Sequence, residues 1–178
     1  MKILSILTCA LVLAAPLSFA KTTERDIYIL ISKELSYMEN IALYKEINHL
    51  CIENPSLERH IHKQITAYAE KVGLDVKSLH EYYLKQFLAG KSMQYRARAD
   101  YLGRTQGKKA LDWANEIEPK FKANSEEFMQ AMVNFLKEGN EIEQKSFETF
   151  AEFLPNPYLA KIEKERMFAY LRKITLKK

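Results

Sequence analysis

Two charged residues lie in the apolar stripe of the first helical segment after a hydrophobic leader. At about 100° per residue, Ile27, Ile31, Leu35, Met38, Ile41 and Ala42 share one face. Lys45 falls at the centre of that face, and Glu34 lies three turns earlier, almost directly below it. A charge turned towards a core is costly unless it is paired or meets a charged ligand. Either Lys45 snorkels at the rim, or a neighbouring helix supplies a carboxylate, or helices enclose a polar pocket. Direct pairing with Glu34 would need another helix to intervene, because the two are roughly 16 Å apart along the helix axis. The chemistry on offer is recognition of an anion by a partly desolvated ammonium.

Other reactive side chains do not assemble by spacing. His60 and His62 are two residues apart and diverge on a helix, which argues against a metal pair. His49 lies one turn after Lys45 on the inward side, either as a second cation or as a polar core residue. Tyr82, Tyr83 and Phe87, like Phe147, Phe150 and Phe153, have the spacing of packing residues, and Trp113 is expected in the core. No cysteine–histidine arrangement suggests a nucleophile, and no glycine-rich loop suggests phosphate binding.

The elements that position Lys45 are helices. No run of strict alternation is flanked by turn signals, whereas long segments carry the helical period. The first helix is expected from near Thr23 to near Leu50. Asn54-Pro55 reads as an N-cap followed by proline at the first helical position, opening a helix that ends at Gly73. Its apolar face carries Leu57, Ile61, Ile65, Tyr68 and Val72. Asp75 caps a third helix with Leu79, Tyr83, Phe87, Gly90, Met93, Ala97 and Tyr101 on one stripe, ended by Gly103.

Beyond it, Lys108 to Ile117 reads as helical up to a break or bend at Pro119, and Asn124-Ser125-Glu126-Glu127 reads as a helix start leading to Gly139. A further helix is expected over Ile142 to Phe153, then a turn at Pro155-Asn156-Pro157. A last helix holds Leu159, Ile162, Met167, Leu171 and Ile174. The expectation is an all-α, single helical bundle with a long leading helix.

Residues 1–20 stand outside that bundle. Lys2, an apolar run from Ile3 to Leu17 and small residues at Ser18-Phe19-Ala20 read as a cleaved signal peptide. Residues 21–178 then form one domain of a periplasmic or secreted protein, with no later run long enough to span a membrane. Cleavage lowers the formal charge from +4 to +3, and the charges are interspersed, so nucleic-acid binding has no electrostatic footprint. Cys9 leaves with the leader, so no internal disulfide is open to the lone Cys51, which is expected buried or paired between chains in a homodimer.

The segment Leu35-Ser36-Tyr37-Met38-Glu39-Asn40-Ile41-Ala42-Leu43-Tyr44-Lys45, followed by Asn48-His49-Leu50 and Ile52-Glu53-Asn54, resembles the secreted, gamma-class helical chorismate mutases. So does Gln94-Tyr95-Arg96-Ala97-Arg98-Ala99-Asp100-Tyr101-Leu102, in the same order and separation. The resemblance covers about Ile27 to Leu102; the last third follows it only in being helical. It implies the rearrangement of chorismate, a small dicarboxylate, to prephenate without cofactor or metal. Catalysis then consists of holding a compact chair and stabilising charge on the breaking ether oxygen.

By this resemblance Lys45 reaches a substrate carboxylate and the ether oxygen, Gln94 is the second ether-oxygen donor, and Glu58 holds the substrate hydroxyl. Helical counting independently places Gln94 on the inward face, close to Gly90, and Glu58 beside the apolar stripe of its helix. The substrate-binding positions are Glu34, Asn54, Leu57 and Gly90. Here the chain departs from the pattern, which has arginine at the positions of Glu34 and Leu57, aspartate at Asn54, and serine or threonine at Gly90. No arginine in Phe128 to Leu136 supplies a third guanidinium, while Arg25, Lys33, Arg59 and Arg98 lie near enough in sequence to be weighed as substitutes. Three readings stand open: an exported mutase with an altered carboxylate grip, a mutase fold that has lost turnover and binds a small molecule or protein, and an unrelated helical export factor.

Overall fold

The computed structural model describes residues 21–178, so the expected signal peptide and its cleavage after Ala20 lie outside the described residues. Helix α1 (Glu24–Ser36) is opened by a capping box in which Thr23 and Asp26 satisfy each other's backbone and side-chain groups. It gives way at Tyr37 to α2 (Met38–Ile47). The single leading helix expected from Thr23 to Leu50 is thus two nearly continuous helices, interrupted at a residue that keeps helical φ and ψ but carries no sequence signal for a break.

Helices α3 (Pro55–Val72) and α4 (Val76–Tyr101) begin at Asn54 and Asp75, whose side chains accept hydrogen bonds from the backbone N–H groups of Leu57 and Ser78. Gly73, with φ of 87°, closes α3 in the left-handed region that a side chain disfavours. Helix α4 is the axis of the bundle, with α2 along one side and α7 (Lys161–Leu171) along another, while α5 (Glu118–Lys137) packs on α1 and α3. Arg96 clamps α7 to α4 through two 2.8 Å contacts with Glu163.

The second half departs from expectation in three places. Lys108 to Asp112 is not helical; a π-turn at Trp113–Ile117 feeds directly into α5, with Pro119 in its first turn instead of breaking a helix. Asn124 and Ser125 do not start a helix but lie buried inside α5, because Asn124 Nδ2 donates to the Leu30 carbonyl and Ser125 Oγ donates to Glu34. Between Ile142 and Phe153 the helix is shorter than expected, a 3₁₀ turn followed by α6 (Phe147–Glu152). In α7, Met167 and Leu171 are buried but Ile162 is half exposed. Among the described residues no β-strand forms beyond one isolated bridge, and no helix is long and apolar enough to cross a membrane.

Candidate active site

One cavity of about 230 Å³ opens between α2, α3 and α4. Lys45, Glu58 and Gln94 line it, each delivered by a different helix, as do Asn54, Leu57 and Gly90. Its walls are otherwise largely apolar, from Leu35, Met38, Ile41, Ile52, Ile61 and Phe87. Trp113, expected in the core, stands in this wall with Phe121.

Lys45 is fixed at the cavity floor. Its ammonium donates to the Ile52 carbonyl at 2.7 Å and to Gln94 Oε1 at 2.9 Å, which leaves one of three N–H groups for a ligand. Burial lowers its pKa, against which the nearby Glu53 and Glu58 carboxylates favour the charged form. Gln94 is buried, and its Nε2 donates to Met38 Sδ at 3.4 Å, a weak acceptor that leaves the amide available.

The same methionine accounts for Gly90. A Cβ built there meets Met38 Sδ at 2.9 Å, so the space where a hydroxyl-bearing side chain would stand holds sulfur instead. Gly90→Ser is expected to displace the flexible Met38 side chain and, after the helix propensity gained over glycine, to lower stability by no more than about 1 kcal/mol, read by urea unfolding. Unchanged stability would show that the methionine yields freely.

Glu34 takes no part in the cavity wall. It points instead between α1, α4 and α5, 1% exposed, where Ser125 Oγ donates to its Oε1 at 2.8 Å. Burial pushes its pKa up to about 7, against hydrogen bonding from Gln86, Ser125 and Asn124. Glu34 Oε2, Gln86 Oε1 and Asn124 Oδ1 have no hydrogen-bond partner, so a proton on Glu34 supplies a donor to a cluster short of one. Gln86 lines the cavity and lies beside this carboxyl, so Glu34 borders the site from behind it.

None of the cations weighed as substitutes enters. Arg25, Lys33 and Arg59 are exposed, and Arg98 is spent on Glu46 and the Leu50 carbonyl. His49 is exposed, with φ of 53°, in the turn that ends α2, so it adds no charge to the pocket. Cys51 is likewise exposed, contrary to the expected burial, because the 48–54 loop runs over the surface. The cation that does line the cavity is Lys91, which sequence reasoning missed. Its signal was its place one turn before Gln94, beside Gly90, on the face already assigned inward. Among the described residues no group of three or more metal-ligating side chains is found.

A helical bundle with this cavity defines the class: the chain has the all-helical chorismate mutase fold and is a chorismate mutase-like protein. In particular, it is 42% identical to a secreted chorismate mutase of Yersinia pestis over 73 residues, 41% of this chain and 39% of that protein. That alignment therefore spans less than half of the relative. A monofunctional chorismate mutase of Enterobacter agglomerans is 25% identical over 144 residues, covering 81% of this chain and 79% of its own. The crystal structure of the Yersinia pestis secreted enzyme, 26% identical, superposes with a TM-score of 0.77 over 85% of this chain and 98% of that one. A chorismate mutase from Burkholderia thailandensis, 18% identical with a TM-score of 0.65 over 83% of this chain and 96% of that one, shares the fold. No family model matches the chain.

Proposed function

We propose that this chain is an exported protein that binds chorismate in the cavity and rearranges it to prephenate, slowly. One observation carries the reading: Lys45, Gln94 and Glu58 reach a single cavity from three helices. The rearrangement is pericyclic. The ether C–O bond breaks as a new C–C bond forms, with no proton transferred and no covalent intermediate. Catalysis then comes from holding the compact conformer and from donors aimed at the ether oxygen. The free N–H of Lys45 and the amide of Gln94 supply those donors, and Glu58 accepts the substrate hydroxyl. No cofactor, metal, membrane or nucleic acid enters this reading.

Turnover is slow because no arginine among the described residues lines the cavity. Losing one charged contact costs about 2–5 kcal/mol when a partner is left buried, and each 1.4 kcal/mol or so is tenfold in rate. Export is supported by the apolar leader and by the word "secreted" in the name of the Yersinia pestis relative. Light scattering on the mature protein reads whether it is a monomer or a homodimer.

Mature protein incubated with chorismate is expected to consume its ultraviolet absorbance with kcat/KM below about 10⁴ M⁻¹ s⁻¹. Lys45→Ala is expected to lower that value about 100-fold or more, since it removes a donor to the developing charge. Rates typical of ordinary enzymes would refute the slow site. Neither turnover nor a thermal shift with chorismate would refute the whole reading.

A further inference from the structure

A dicarboxylate needs two cations, and apart from Lys45 the only positively charged side chain lining the cavity, among the described residues, is Lys91. Its ammonium stands 2.9 Å from Glu53 Oε2 and 3.3 Å from Glu58 Oε2. The lysine side chain is 22% exposed, less than either carboxylate at 49% and 33%. Partial burial works against its charge, but Glu53 and Glu58 outweigh that and hold its pKa above the ordinary lysine value. The cation is thus charged, at the cavity wall, and held by the same glutamate that the mutase reading assigns to the substrate hydroxyl.

We propose that Lys91 grips one of the two substrate carboxylates, taking the role of the guanidinium that Leu57 lacks. The proposal rests on the mutase reading of the cavity. An ammonium has three donors and no acceptor, so Lys91 can keep Glu53 while a ligand carboxylate takes the place of Glu58. The exchange swaps one anion for another around the same cation, so no charge is left buried and unpaired. Glu58, released, then accepts the ligand hydroxyl. Lys45 faces the other carboxylate, its one free N–H shared between that carboxylate and the ether oxygen.

A merely structural Lys91, tying the 51–54 loop to α4, would not distinguish ligands by charge. The test is therefore a cycle between protein and ligand, measured by calorimetry with chorismate and each of its two monomethyl esters. The wild-type protein is expected to prefer chorismate over each ester by at least about tenfold. In Lys91→Met the preference over one ester disappears, while the preference over the other persists because Lys45 is intact. Lys91→Arg keeps both preferences.

Lys91→Gln serves as a second neutral variant, and melting temperatures confirm that the variants are folded. Both preferences surviving in folded Lys91→Met and Lys91→Gln would overturn the assignment of Lys91 and leave the mutase reading intact. Equal wild-type affinity for chorismate and both esters would overturn the assignment as well. Wild-type protein that binds none of the three would overturn the mutase reading and this assignment with it.

Discussion

Glu34→Gln is expected to remove a loss of about 3 kcal/mol in stability that the wild-type protein suffers as pH rises from below 4.5 to above 7. In the unfolded chain the carboxyl ionises near its ordinary value of 4.5, whereas burial raises it to about 7 in the fold. Between those values the native state retains a proton that the unfolded state has released. Stability contributed by the neutral form is therefore whole below 4.5, falls as pH climbs, and is gone once pH passes 7. Glutamine keeps the shape and the hydrogen-bonding capacity towards Ser125, Gln86 and Asn124 but cannot ionise. The difference in unfolding free energy between variant and wild type should move in favour of the variant by about 3 kcal/mol across the range. Urea unfolding at a series of pH values reads it. A difference that stays flat would mean that the Glu34 carboxyl titrates in the fold as it does in the unfolded chain, so that burial does not hold its proton.

The helices up to Tyr101 were legible, apart from the break at Tyr37, because local chemistry and tertiary packing agree there. Asn54, Pro55, Gly73 and Asp75 mark ends that depend on groups within three or four residues, and the stripes of α3 and α4 face what the period says they face. In α5 the two disagree. Asn124-Ser125 looks like a cap in one dimension, but its polar atoms are satisfied by α1, some 90 residues away, which no local pattern records. Glu34 shows the same limit from the other side. Its inward placement follows from the period, yet whether inward meant the cavity or the cluster behind it depended on α5, whose course was misread. Lys45, Gln94 and Glu58 were brought to one cavity by motif resemblance joined to helical counting. Lys91 was missed because a lysine one turn from a buried residue has the same pattern whether its head reaches solvent or a pair of carboxylates.

Leu57→Arg is expected to raise kcat/KM for chorismate by about 10- to 100-fold. Leu57 lines the cavity from the first turn of α3, half-buried and next to Glu58. An arginine there adds a planar pair of donors to a site whose cations are both lysines, and a bidentate grip fixes a carboxylate in a way a single ammonium does not. The gain sits below the upper end for a buried charge pair because the position is partly open to water. A cation in a helix's first turn opposes the macrodipole, a cost of about 0.3–1 kcal/mol, which Glu58 beside it offsets in part. Glu34→Arg does not repeat the benefit. It would place a guanidinium among Tyr82, Tyr83, Gln86, Asn124 and Ser125, outside the cavity wall, with no carboxylate to receive it. An uncompensated buried charge costs about 3–5 kcal/mol. The double variant is therefore expected to lose stability and gain nothing over Leu57→Arg alone. Chorismate consumption and urea unfolding on the three variants separate the cases. A folded Leu57→Arg no faster than wild type would mean that the carboxylate lies elsewhere in the cavity, out of reach of the first turn of α3.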